Sequence, residues 1–390
     1  MRDLTSRRSE GEARARNSSH EPEITGSASF VVAVTSSSHN PSAVLAGTRR
    51  VESVRRTIAA NSIGSLVPSA LPGADACLAR WGRVHSVFRH ACNLEMVDGT
   101  LLTLLTLKQR NLPHGIRCTV PVAEGFHAYL QPGQAVVAEQ TLLCLPAAEL
   151  EVDLSSAARW HGTVANCPID TESACTTEAL STIRAGLCDV APVGGIASLL
   201  LNDSACHDRM ALAIRARLLT TLPLLALATE QQDYVKASFA LERLVGLGPG
   251  LTPSGDDFIV GYLAALRARC NRERRIEHLL QGLIGPVRLL AKRTHAISRQ
   301  FILNAAAGEF CESLVSIVRA ISRQQDVVEH AAAAAHIGHT SGTDSMMGLL
   351  FGFCPALVLG SATHKKFTGT RQSRLTSPKP NHLQSARWPH

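Results

Sequence analysis

Aromatic side chains are scarce in this chain: ten Phe, three Trp and three Tyr make up 4% of its 390 residues. Stacking platforms for single-stranded nucleic acid need such rings in series, so that function class is disfavoured. Long apolar runs are missing too. No stretch reaches the ~18 residues of a membrane helix. The longest, around Leu218–Ala228 and Met346–Leu359, fall short or contain glycine and proline, so no membrane association is expected. The first residues lack the apolar segment of a secretory signal; their arginines and serines suit an organelle transit peptide, but their glutamates count against it. The eleven cysteines contain no Cys-x-x-Cys pair. An odd number scattered singly, as at Cys144 and Cys354, suits reduced thiols in a cytoplasmic protein better than disulfides or a zinc cage.

The net charge of +7 invites a nucleic-acid reading, but its location weakens it. Ser361 to His390 holds Lys365, Lys366, Arg371, Arg374, Lys379 and Arg387 and no acid, whereas residues 1–26 balance five arginines with five acids. The body between is close to neutral, so a solvated basic tail is expected rather than a folded basic surface, and no nucleic-acid partner. The length and the 45% hydrophobic content suit a globular protein with room for two domains.

In chain order, residues 1–60 read as a disordered or weakly structured tail, with a short helix possible from about Val51 and a Pro/Gly/Ser connector through Gly73. Residues 75–160 read as a β-rich domain. Val84–Phe88 and Asn93–Val97 are strand-like, and Asp98-Gly99 gives a two-residue hairpin signal before Thr100–Leu107. Ile116–Val120, Ala135–Ala138 and Leu142–Leu145 follow. Strands at this spacing predict a small antiparallel barrel or sandwich. Residues 170–360 read as helical, after a short helix at Ala157–Trp160. Helices are predicted at Thr177–Cys188, Met210–Thr229, Gln232–Val245, Phe258–Arg269, Pro286–Ala307, Glu309–Arg323, Val327–His336 and Thr343–Phe353. Residues 361–390 read as a basic disordered tail. The expected fold class is α+β, with the β module first.

The helical part is organised around Gly246-Leu-Gly-Pro-Gly-Leu-Thr-Pro-Ser-Gly-Asp-Asp257. Gly246, Gly248 and Gly250 let the backbone turn sharply, and Ser254-x-x-Asp257 reads as a capping box at a helix start. A glycine loop entering a helix presents amide donors and a positive dipole end, which suits phosphates and carboxylates. The grammar repeats: Ser254-Gly255-x-Asp257-x-x-x-Gly261-x-Leu263 matches Ser341-Gly342-x-Asp344-x-x-x-Gly348-x-Leu350. Thr252 and Gly250 precede one copy, Thr340 and Gly338 the other. A helix glycine is worth about 1 kcal/mol less than alanine. Two of them, Gly261 and Gly348, at equivalent positions predict helices packed backbone to backbone at their first turns.

Two independent capping boxes would give the same pattern. The sharper expectation is two helix N-termini converging on one small anion, with hydroxyls from Ser254, Thr340 and Ser341. Asp256, Asp257 and Asp344 compete with a bound anion for the dipole. They either cap, hold Mg²⁺, or accept from the –NH₂ of an amide or carbamoyl ligand, with Asp256 the one expected to face it. His336 and His339 lack the glutamate of a His-Glu-x-x-His zinc helix, although His339 is placed to touch substrate. There is no Gly-x-Ser-x-Gly elbow, since Thr252 stands at the first glycine, and no P-loop. The Gly246-Gly248-Gly250 triplet follows a helix, so the dinucleotide fingerprint fails. Thr294 and Ser298 share one helix face, with solvated surface as the default, and Asn304 lies further along.

The long glycine-proline motif, followed by Gly338-His-Thr-Ser-Gly-x-Asp344, resembles the AllH family. Asn93, Asp98-Gly99, Pro113, Thr294-x-x-x-Ser298 and Ala307-Gly308 fit the same family, and the resemblance covers about Gly82 to Leu359. Thr343-Asp344-Ser345 departs from it where bulkier residues are expected beside the acid. The resemblance implies a subunit of an oxamate carbamoyltransferase acting with FdrA-type and AllG-type subunits. That assembly phosphorolyses oxalurate to oxamate and carbamoyl phosphate in allantoin and purine breakdown. The signatures of the aspartate and ornithine transcarbamoylases are absent. On this reading the Gly248, Gly250 and Gly255 amides, with Thr252, Ser254, His339, Thr340, Ser341 and Gly342, hold phosphate or carboxylate. Asp256, Asp257 and Asp344 carry the catalytic role. A non-catalytic assembly or regulatory subunit is the alternative.

Overall fold

The Asp98-Gly99 turn closes the hairpin as expected: Gly99 takes φ 80°, and the Met96 and Thr100 backbones pair across it. It joins strand β3 (Ala91–Met96) to β4 (Leu101–Thr106) in a computed structural model that describes residues 56–68, 80–120, 125–201 and 209–360. The other strands are β1 (Arg56–Gly64), β2 (Arg80–Val87), β5 (Gly115–Cys118), β6 (Ala135–Glu139), β7 (Leu142–Leu145), β8 (Leu150–Asp153) and β9 (Ala158–Trp160). Their order is β5-β4-β3-β2-β6-β7-β8-β1, and a β5–β1 pairing closes the ring. Of barrel and sandwich, the chain forms an eight-stranded barrel, with β9 added alongside the end of β1. Closure leaves few free strand edges.

Most barrel pairings are antiparallel, but β4–β5 and β1–β8 run parallel, so the barrel is mixed. Two predicted helices are strands instead. From Arg56 the segment alternates exposed and buried residues as a strand does, with Ile58 and Ala60 inward. Ala158–Trp160 is drawn into the sheet by pairing with Ser62–Gly64. The expected tail and connector around residues 1–55 and 69–79, and the basic tail 361–390, lie outside the described residues.

The helices are α1 (Ala174–Val190), α2 (Ile196–Leu201), α3 (Arg209–Gln231), α4 (Tyr234–Glu242), α5 (Ser254–Arg269), α6 (Arg274–Leu290), α7 (Ala296–Ala306), α8 (Glu312–Arg323), α9 (Val327–Ala335), α10 (Ser341–Phe353) and α11 (Pro355–Leu359). The single helix predicted over Pro286–Ala307 is broken. Thr294 and His295 are extended, so α6 ends before them and α7 starts after them. Among the described helices α3 alone is long and apolar enough to cross a membrane by length and composition. Its Leu218, Leu222 and Leu225 are buried in the helical core.

At the centre lie α5 and α10, apolar nearly all round and buried almost throughout, as a central helix must be. A Cβ on Gly261 would lie 1.8 Å from the Ser345 carbonyl oxygen, and one on Gly348 1.9 Å from that of Phe258. The two glycines therefore let each backbone rest on the other, as their spacing predicts. Phe258 and Phe351 fill the space beside the crossing, with ring centroids 5.4 Å apart.

Candidate functional site

The chain reaches each central helix from the helix before it, α4 for α5 and α9 for α10, and the two junctions are alike. The Gly255 amide donates to the Leu247 carbonyl (2.8 Å), and the Gly342 amide to that of Ile337 (3.1 Å). Gly255 rests against the Leu244 carbonyl and Gly342 against that of Ala334, each too close for a Cβ. Gly246, Gly248 and Gly250 all take positive φ, which only glycine adopts readily. The predicted caps are shifted by one residue. Pro253 and Thr340 occupy the N-cap positions, so Ser254 and Ser341 open the helices and their hydroxyls turn elsewhere.

Those hydroxyls turn across the crossing. Ser341 and Thr252 hydrogen-bond toward Asp257, Ser254 and Thr340 toward Asp344, and the Thr252 and Ser341 hydroxyls are 2.8 Å apart. Each central helix thus offers an acid from its first turns, and Asp257 and Asp344 each meet the opposite helix's serine. Both acids are buried, and one oxygen of each, Oδ2, has no hydrogen-bond partner among the described residues. Such an orphan is costly unless something else satisfies it.

Burial, and next the Asp344 charge, push the Asp257 carboxyl well above the usual carboxylate range, against hydrogen bonds from Ser341 and Thr252. Burial pushes Asp344 up to about 6, opposed by hydrogen bonds from Ser254, the Ile196 amide, Thr340 and the Ala197 amide. Two neighbouring buried carboxyls do not ionise together easily. Near neutral pH the pair therefore resists carrying two charges.

Asp256 behaves differently. Its Oδ1 accepts from the Gly246 amide at 2.8 Å, and its Oδ2 from the hydroxyls of Ser298 (2.7 Å) and Thr294. Both oxygens are engaged by the chain. The expectation that Asp256 faces a ligand is corrected: it pins the glycine loop to the break between α6 and α7. Thr294 and Ser298, read as solvated by default, are its partners.

Asp257 lines a cavity of about 380 Å³ between the barrel and the helices. Thr252, Gly338, Ser341 and Gly342 also line it, and much of the wall is apolar, including Leu112, Val260, Phe301, Leu314 and Met346. Asp344 does not line it. The start of α2 covers that acid instead, with the Ile196 amide donating to its Oδ1 at 2.6 Å. Gly248, Gly250, Ser254, Gly255, His339 and Thr340 also lie outside the lining, and His339 is exposed. The Gly255 amide is already spent on Leu247, so it does not serve an anion.

Sequence reasoning missed several polar lining residues, Thr103, Gln109 and Glu309 among them, and three more bear on the chemistry. Ser313, 4% exposed, has a hydroxyl with no partner among the described residues. Arg110, in the loop after β4, is the only Lys or Arg of the described lining. Cys311 also lines it, and burial raises its thiol, which argues against a thiolate nucleophile. None of the three sits in a motif. Asn304 completes the polar wall. It donates to His114 Nδ1 at 2.5 Å and accepts from Gln300. Burial lowers His114 to about 4, so it is the neutral acceptor this bond needs. Among the described residues no three His, Cys, Asp or Glu side chains gather as a metal site would require.

Residues 244–353 match the family model described as oxamate carbamoyltransferase subunit AllH. Residues 62–159 match that of the AllH family N-terminal domain, and together the two span more than half of the chain. The first covers both glycine loops and α5 through α10; the second covers most of the barrel. No solved structure matches the chain.

Proposed function

The chain belongs to the AllH family, a family of oxamate carbamoyltransferase subunits, and from that premise we propose that its cavity is the site of carbamoyl transfer between oxalurate and phosphate. The observation that carries this reading is the contrast between the two related acids. Each keeps one oxygen without a partner among the described residues, but Asp344 receives a backbone N–H from Ile196 and lies outside the cavity lining, while Asp257 is part of that lining. A ureido or carbamoyl group presents N–H donors of that type.

The chemistry suits a protonated Asp257. A phosphate oxygen attacks the ureido carbonyl, and the C–N bond to the oxamate nitrogen breaks. That nitrogen leaves only if it gains a proton, which Asp257 supplies as general acid and regains from the hydrogenphosphate. Asp344, ionised above pH 6, keeps the proton on Asp257 through its charge. Oxalurate and carbamoyl phosphate are then the small anionic amide ligands, and FdrA-type and AllG-type subunits the partners.

The test is oxalurate phosphorolysis by the assembly reconstituted with those partners. Asp257→Asn is expected to lower kcat by at least 100-fold, the range of a lost general acid, with the fold intact. Turnover within threefold of the unmodified assembly would sink the assignment. One observation favours the alternative of a non-catalytic subunit. Met210, Leu212, Leu219 and Leu224 of α3, with Tyr234, Val235 and Phe239 of α4, are exposed apolar residues of the kind that subunit contacts use. In that reading Asp257→Asn leaves turnover unchanged, while charged substitutions at Leu219 and Phe239 block assembly.

A further inference from the structure

Asp257 accounts for one polar point of the cavity. The other polar groups without partners are in a different part of its wall. Ser313, in the first turn of α8, is buried and its hydroxyl has no partner among the described residues. Arg110 comes from the β4–β5 loop, is itself exposed, makes no ion pair with a described residue, and is the only cation among the described lining residues. A guanidinium and a hydroxyl are both donors, and an oxyanion accepts from both. The wall beside the buried Ser313, with Leu112 and Leu314 among it, is apolar, which strengthens a hydrogen bond made there. The neighbouring Lys108 is exposed as Arg110 is but lies outside the lining, so it provides an internal comparison.

We propose that Arg110 and Ser313 bind the oxyanion end, carboxylate or phosphate, of the ligand whose N–H end Asp257 receives. This rests on the reading of Asp257 given above and adds the residues that set the ligand's orientation. The polarity follows from the protein itself: acceptor at the helix crossing, donors at the barrel loop and α8. A ligand carrying both an N–H group and an oxyanion satisfies both ends, whereas an uncharged amide leaves Arg110 and Ser313 unanswered.

The experiment is calorimetric titration of the full chain with inorganic phosphate, oxamate and acetate in turn. Oxamate or phosphate is expected to bind, and Arg110→Gln and Ser313→Ala each to weaken that anion at least tenfold, the scale of a lost charge-assisted hydrogen bond. Lys108→Gln is expected to change it less than twofold. Which anion responds identifies the carboxylate or the phosphate as the one held. Equal affinity in all variants, an equal loss in Lys108→Gln, or no anion binding to the unmodified chain overturns the subsite. If acetate binds through Arg110 while oxamate and phosphate do not, the subsite stands and the carbamoyl-transfer reading falls. If oxamate binding depends on Asp257 but not on Arg110 or Ser313, the reading stands and the subsite falls.

Discussion

Asp344 sits where the α5–α10 crossing meets α2, and its burial has a consequence for stability. Its carboxyl rises from 3.8 to about 6 on folding, so the folded state favours the protonated form. The stability this provides is complete below the unfolded value and is lost as the pH rises through about 6. A shift of roughly two units corresponds to about 3 kcal/mol. Asp344→Asn has no such term, so it is expected to gain on the unmodified chain as the pH rises from 4 to 7. Urea unfolding at several pH values measures the gap, which approaches ~3 kcal/mol at the upper end. A gap that stays flat across that window would show that Asp344 is not held desolvated. At this scale the sequence revealed the acids but not their division of labour. Asp256 and Asp257 are adjacent, and which one turns toward the cavity depends on the rotation of α5, set where its Gly261 meets α10, whose Gly348 is far along the chain. Thr294 and Ser298 looked like surface for the same reason: their partner, Asp256, is about forty residues away.

Among the elements, the crossing of α5 and α10 was the most legible feature, because a close backbone contact leaves a mark that composition preserves. Only glycine tolerates carbonyl oxygens at 1.8 and 1.9 Å from its would-be Cβ. Neither oxygen can yield, since each belongs to the partner helix backbone. Gly261→Ala and Gly348→Ala are each expected to push the helices apart and to lower stability by about 3 kcal/mol or more, the upper range for overpacking. Thermal melting measures the loss. A melting temperature within 1–2 °C of the unmodified chain for either variant, a displacement of about 1 kcal/mol at this chain length, would mean that the helices do not touch there. The Asp98-Gly99 hairpin was legible for a similar reason, since a two-residue turn dictates its own residues. β1 and β9 were not. Neither carries a strong local strand signal, and what makes them strands is pairing with β5, β8 and each other, which is a property of the closed barrel. The break at Thr294-His295 was hidden too, because Asp256 recruits the Thr294 hydroxyl from outside the segment.

Across the whole molecule, the barrel and the helices meet through a short strap, residues 309–314, that carries one wall of the cavity. Glu309 Oε2 accepts from the Ser65 hydroxyl (2.7 Å) and the Gly162 amide (2.6 Å). Glu312 Oε2 accepts from the Asn111 amide and its side-chain Nδ2, at 2.7 and 2.8 Å. The backbone doubles both ties, with the Phe310 amide on the Gly162 carbonyl and the Glu312 amide on that of Asn111. Between and just beyond these anchors lie Phe310, Cys311, Ser313 and Leu314, all of which line the cavity. Asn111 follows Arg110 directly in the chain, so the Glu312 tie sets the spacing between the two residues assigned to the oxyanion end. Removing that carboxylate leaves the Asn111 donors to water or to nothing. Glu312→Ala is expected to lower stability by about 2 kcal/mol, the range for hydrogen bonds to a charged group. It is also expected to weaken anion binding severalfold, although Glu312 itself does not line the cavity. Glu312→Gln keeps one acceptor oxygen for Asn111 and is expected to recover most of both losses. Melting and titration on the same two variants separate the effects. Stability lost without affinity would show that the strap only docks the two parts together, whereas loss of both, with recovery in the glutamine variant, shows that barrel and helices build the site jointly.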